Sequence, residues 1–282
     1  MGIRTDMAVE AHELSRGEAK EIDGVKLESL AHGSITRTVV DILDDNGART
    51  LGKMKGRYVT IDAPDLKHSS DDYEKVCTML ANELREMCGN SKTTLVVGLG
   101  NRAITPDALG SEVVDKLLIT SHIKKHMPDV FDENYSNVSA IAPGVMGTTG
   151  IETVEIVKGV IDTVRPDTVI AIDALAGADI NRVTTSIQIA DTGIAPGSGV
   201  GNHRNGLNED SLGVKVIAVG VPTVIAAELL GGENLADEFK SLMVTTNDID
   251  MIIKRMSKTV ANGINMALHK NLSLKEAEEL VG

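Results

Sequence analysis

The chain has 282 residues, 42% of them hydrophobic, enough to bury a large core as one big domain or two small ones. Its formal charge of -13 lacks the basic footprint of a nucleic-acid binder. Aromatic residues make up 2% and tryptophan is absent, so Val, Ile, Leu, Met and Ala must build the core.

The elements follow in chain order. Arg4, Asp6, Glu10 and Glu13 interrupt the N-terminus too early for a signal peptide, and no later apolar run approaches a membrane span. A soluble cytoplasmic protein is the expectation. VKLESL and SITRTVVDIL read as early strands, and RYVTID as a third, ended by Ala63-Pro64. A helix is expected over Ser70–Cys88, closed by Gly89-Asn90. Cys77 and Cys88 lie eleven apart on it, wider than metal-binding pairs usually sit, and read as reduced, packed thiols. Strand Thr93–Val97, helix Pro106–Thr120 and a long irregular segment from Pro128 to Gly150 come next. Helix Glu152–Val164 leads to strand Thr168–Ile172, then to VTTSIQIA, a glycine-rich loop and strand Val214–Val219. Ile249, Ile252, Ile253, Met256, Val260, Ile264 and Leu268 recur at the spacing of a long amphipathic helix. Strands alternating with helices predict one α/β domain, a mostly parallel sheet with helices on both faces.

VVGLGNRAITPDALG, Val96 to Gly110, contains a G-x-G-x-x-A string, the turn that cradles a dinucleotide pyrophosphate. Two features exclude that use. Pro106 falls where the dinucleotide helix should be mid-stride, and Leu117 to Lys125 offers no acid for the ribose. Thr105-Pro106-Asp107 reads instead as the start of a fresh helix after a tight turn. Asp107 then lies beyond the carboxyl end of a strand, where open α/β sheets bind ligands. As a first-turn acid it would otherwise merely complement the helix dipole. TVIAIDALAG ends a second apolar strand on Asp173, a carboxylate costly to bury unless hydrogen-bonded or functional. Two such acids at neighbouring strand ends could share a proton or bind a metal.

Asp191-Thr192-Gly193 repeats the D-T-G string of all-β aspartic proteases, but in an α/β chain it reads as a turn capped by Asp191. The loop GIAPGSGVGNHRNG after it carries Gly197, Gly199 and Gly201, either a segment that lets a substrate backbone approach or a plain connection. Ser198 lacks a G-x-S-x-G setting. His122 and His126, four apart in HIKKH, read as a solvated helix face.

Taken together, RTDMAVEA, VVGLGNRAITPDALG, SAIAPGVMGTTGIET, the block from Val169 to Asn202 and VIAVGVPTVI resemble the germination proteases of spore-forming bacteria. The blocks run in order from about residue 4 to 225 and the C-terminal helix is compatible, so the resemblance covers nearly the whole chain. It implies an endopeptidase of the spore core that degrades small acid-soluble spore proteins. It also implies a self-cleaving zymogen, a homotetramer, and a fold like that of hydrogenase maturation proteases. The family's two catalytic acids map onto Asp107 and Asp173, in an atypical aspartic mechanism that needs no cofactor. Arg102 and Ala103 depart from the family pattern outside those acids. Thr5-Asp6-Met7-Ala8-Val9-Glu10 resembles the site the family cuts in its substrates, which places self-cleavage between Asp6 and Met7. Residues 1–6 would then be a prosegment and 7–282 the peptidase domain. Two alternatives stay open: a metal-dependent processing peptidase of the hydrogenase-maturation type, and a non-catalytic binding domain. None of these readings calls for nucleic acid or membrane as a partner.

Overall fold

The computed structural model describes residues 5–17, 21–67, 70–195, 206–231, 236–240 and 242–281. The chain opens with helix α1 (Ala8–Arg16), then strands β1 (Val25–His32) and β2 (Ile35–Ile42), helix α2 (Asp45–Leu51) and strand β3 (Gly56–Asp62). Helix α3 (Ser70–Cys88) leads to β4 (Thr93–Gly98), and a 3-10 turn at Thr105–Asp107 leads to α4 (Leu109–Val114). Next come α5 (Ser121–His126), β5 (Asn137–Ile141), α6 (Met146–Thr149) and α7 (Thr153–Val164). Strands β6 (Thr168–Gly177) and β7 (Ser186–Ala190) precede α8 (Glu209–Leu212) and β8 (Lys215–Ala226). The chain closes with α9 (Ala227–Gly231), α10 (Asp237–Lys240), β9 (Met243–Val244), α11 (Ile249–Leu268) and α12 (Leu274–Val281).

The nine strands among the described residues join one sheet in the order β1-β2-β3-β7-β8-β6-β4-β5, with β9 beside β8. The sheet is mixed, which corrects the mostly parallel arrangement expected from the alternation of elements. β5, β4, β6 and β8 run parallel, whereas β1, β2, β3 and β7 pair antiparallel. Connection length decides this. β1 and β2 are joined by Gly33-Ser34 alone, with Gly33 at a φ of 67°, and a two-residue turn permits only an antiparallel neighbour. β8 is the junction, parallel to β6 and antiparallel to β7.

Both faces of the central strands are covered, which is why they read as unbroken apolar runs. Val96, Ile170, Ile172, Ile217 and Val219 join one core with residues of α3, α4 and α11. The alternate residues Leu95, Val97, Val169, Ala171 and Val216 join a second with α7 and α8. α1 completes that second face through Ala8, Val9 and Ala11, packed with Val40, Tyr58 and Leu175.

Four boundaries differ from the sequence reading, one being the strand expected to end at Val219, which runs to Ala226 as β8. The expected helix Pro106–Thr120 breaks after α4, where Leu118 donates its N–H to Asn265 Oδ1 (2.9 Å) on α11 and Thr120 to the Val138 carbonyl (3.2 Å). The segment expected to be irregular contains β5, whose five residues pair in parallel with β4. β6 runs on past Ile172 to Gly177 because β8 supplies partners for all ten residues, with a register shift at Leu175/Ala176.

Candidate active site

The Gly98–Asn101 turn builds the first half of the site. Leu99 donates its N–H to the Ile172 carbonyl (2.8 Å), so the chain stays beside β6 for one residue beyond β4. It then folds back over the 3-10 turn. A Cβ on Gly98 would lie 2.1 Å from the Gly110 carbonyl oxygen, and one on Gly100 would lie 2.0 Å from that of Asp107. Gly100 also holds a φ of 97°, a conformation open to glycine and strained for other residues. The glycines therefore serve Asp107. Its carboxylate accepts the Asn101 N–H (2.7 Å), and its own N–H donates to Ile104 (2.8 Å).

Asp173 forms the second half. It sits on β6, 5% exposed, and its carboxylate accepts the Ala174 N–H (3.0 Å). Across the sheet it pairs with Gly220 of β8, which pairs in turn with Gln188 of β7. Asp173 and Gln188 thus share one row and one face of the sheet, two strands apart, with no side chain at the position between them. A cavity of about 360 Å³ is lined by Leu99, Asp107, Val145, Asp173 and Leu175, and by Asp6 from the N-terminus.

That N-terminal contact is specific. The Asp6 N–H donates to the Ala176 carbonyl (2.9 Å), and the Asp6 carboxylate accepts the Ala176 N–H (2.9 Å). Gln188 brackets Met7: its Nε2 donates to the Asp6 carbonyl (3.2 Å) and its Oε1 accepts from Ala8 N (2.6 Å). Lys53 Nζ donates to the Thr5 carbonyl (2.7 Å). Burial pulls the Lys53 ammonium below its usual range, against the attraction of Asp6 and Glu10. Glu10 is 1% exposed, and its carboxylate accepts from Ala178 N (2.7 Å) and Asp179 N (3.0 Å), just beyond β6. Burial raises its pKa, partly offset by those hydrogen bonds. Arg182 reinforces the anchor with two bonds to Glu13, at 2.6 and 2.7 Å. Sequence reasoning singled out Asp107 and Asp173, read Glu10 only as part of the cleavage-site string, and missed Lys53 and Gln188. Each lies in a segment whose pattern also suits an ordinary exposed side chain.

The remaining candidates lie elsewhere. Asp191 accepts the Arg57 N–H (2.8 Å) and ties the start of β3 to the end of β7; it does not line the cavity of Asp107 and Asp173. Gly197, Gly199 and Gly201 lie outside the described residues. The ends of their loop, Ala195 and Gly206, line a smaller cavity of about 110 Å³ that shares Asp6 and Leu175 with the first. His122 and His126 are exposed on α5. Cys77 is buried and Cys88 partly so, and burial pushes both thiols up, to about 12 and about 11. No helix among the described residues is long and apolar enough to cross a membrane.

The family profile described as Germination protease matches residues 3–236. The chain belongs to the germination protease family. It is 43% identical to the germination protease of Clostridium perfringens, over 99% of each chain. The germination protease of Bacillus subtilis is 38% identical, over 96% of this chain and 94% of its own. Among solved structures, the nickel–iron hydrogenase maturation protease HycI of Thermococcus kodakarensis aligns over 64% of this chain and 98% of its own. Its sequence identity is 17% and its TM-score 0.39. Like its family, the chain is a peptidase of spore germination.

Proposed function

We propose that this peptidase is made as a self-cleaving zymogen, begins the breakdown of small acid-soluble spore proteins, and uses Asp107 and Asp173 as an acid–base pair. One observation carries the reading. The residue before the expected self-cleavage bond, Asp6, shares a cavity with both acids. In the proposed reaction water attacks the peptide carbonyl. One carboxylate is ionised and takes the water proton, while the other is protonated and delivers a proton to the leaving nitrogen. Each such transfer is worth roughly 10²–10⁴-fold in rate. Gln188 Nε2, already at the Asp6 carbonyl, steadies that oxygen as negative charge builds on it.

Thr5 and Asp6 of the prosegment act as an in-place substrate, with Asp6 filling part of the cleft. The glycines at 197, 199 and 201, with Asp191 near the loop base, are assigned to substrate contact. Alanine at those glycines should slow proteolysis without lowering the melting temperature. The working unit is proposed as a homotetramer in the cytoplasm of the forespore and spore core, readable from the assembly's mass in solution. The direct test of function is incubation with a purified small acid-soluble spore protein and a chelator. Discrete fragments that persist under exhaustive chelation support the reading. Intact substrate would point to a binding domain, and loss of cleavage only with chelator to a metal-dependent peptidase.

A further inference from the structure

Thr5 occupies an unusual position between the expected cleavage site and a buried acid. The Met7 N–H donates to Thr5 Oγ (3.0 Å), and Thr5 Oγ donates in turn to Glu10 Oε2. Met7 has no exposed surface, and Glu10 is 1% exposed. One hydroxyl therefore relays between the nitrogen of the scissile bond and a carboxylate sealed from solvent. That carboxylate also receives Ala178 N and Asp179 N, the first amides after the strand that carries Asp173.

Cleavage changes what this site must hold. Hydrolysis bonds the water oxygen to the Asp6 carbonyl carbon and breaks that carbon's bond to the Met7 nitrogen. At neutral pH it leaves a carboxylate on Asp6 and an ammonium on Met7. Loss of residues 1–6 removes the Thr5 hydroxyl and takes a donor from Glu10. The Met7 nitrogen gains a charge and two protons beside groups that are buried in the uncleaved chain, and a buried charge requires a partner. Several charged groups surround the pair. Asp6 and Lys53 lie on the N-terminal side, His12 and Glu13 on α1, Asp62 on β3, and Asp179 and Arg182 after β6. Arg182 is engaged by Glu13, and Lys53 by the Thr5 carbonyl, so neither takes the place of Thr5 Oγ at Glu10 before cleavage.

We propose that Glu10 is the binding site for the α-ammonium created at Met7, and that this ion pair fixes the end of β6, and with it Asp173, in its working position. The inference rests on the self-cleavage reading above. It makes Glu10 a positioning residue, since it acts through the strand and not on the substrate.

The test uses chains whose first six residues are replaced by a removable tag, so that the α-ammonium is produced without self-cleavage. One chain starts at Met7, a second has a glycine before Met7, and a third starts at Met7 and carries Glu10→Gln. An α-amino group ordinarily titrates at about 8. Pairing raises that value, so its stabilisation is complete below about pH 8 and lost as pH climbs through the raised value. The Met7 chain should lose several degrees of melting temperature between pH 7 and 10, and its cleavage rate on the spore protein should fall over the same step. The glycine-extended chain, with its ammonium displaced by one residue, should lack that step, as should Glu10→Gln. A step of equal size in the glycine-extended chain would assign it to another group such as Lys53 and overturn the proposal, as would coincident profiles for all three chains. Intact mass of the full-length wild type reads self-cleavage separately. If the full-length chain retains residues 1–6 while the chain starting at Met7 shows the step, the maturation reading falls and the ammonium site stands. If the full-length chain sheds them while the chain starting at Met7 lacks the step, the site is overturned.

Discussion

Gly100 shows how closely the site is built at the scale of single residues. Its φ of 97° and the 2.0 Å between a notional Cβ and the Asp107 carbonyl oxygen leave no room for a side chain. Gly100→Ala should cost about 1–3 kcal/mol in unfolding free energy and cut proteolysis at least tenfold, because relief of the clash must move Asp107. Urea unfolding and a cleavage assay on one preparation would check both. An active variant of unchanged stability would mean that the turn tolerates a methyl and does not set the position of Asp107. Asp107 and Asp173 were legible because acids beside apolar strands stand out against their surroundings, although the strand expected to end on Asp173 continues through it to Gly177. Glu10 was not. AVEAHELSR has the spacing of an amphipathic helix with Glu10 among its polar residues, and the partners it meets when buried, Ala178 and Asp179 just beyond β6, come from distant sequence.

Among elements, local pattern succeeded where an element's own residues decide its form. α3 runs over Ser70–Cys88 and α11 ends at Leu268, both as their apolar spacing predicts. It failed where a distant partner decides. β5 exists because β4 offers an open edge, and the helix after Asp107 stops because Asn265 on α11 takes the Leu118 N–H. The end of α11 carries a pH-sensitive lock of its own. His269 is fully buried, its Nε2 lies 3.2 Å from the Leu118 carbonyl, and its ring packs 5.1 Å from that of Tyr135. Burial lowers its pKa to about 4. The unfolded chain therefore binds one more proton than the folded one between about pH 4 and 6.5, and stability falls as pH drops through that window. At about 1.4 kcal/mol per pH unit this amounts to roughly 3 kcal/mol. His269→Gln should remove that part of the acid sensitivity between pH 7 and 4.5 in denaturant titrations. An unchanged pH slope would show that His269 accepts a proton while folded.

At the scale of the whole molecule, the site lies where the two halves of the sheet meet. The parallel half supplies Asp107 from the 3-10 turn after β4 and Asp173 from within β6, four residues before its end. The antiparallel half supplies Gln188, and α1 packs across its β2 and β3 to bring Asp6 to the same cavity. The parallel half was readable from its alternation of strands and helices. The antiparallel half was not, because its strands were recognised but their direction rests on connection lengths and on the dual pairing of β8. The account's central claim is that Asp107 and Asp173 act together on the bond after Asp6. The most direct measurement is the intact mass of wild type, Asp107→Asn and Asp173→Asn after incubation at mildly acidic pH, with thermal melts to verify folding. The account predicts that the wild type sheds residues 1–6, whereas both variants stay folded and keep them. Loss of those residues at near wild-type rates in either variant would contradict it.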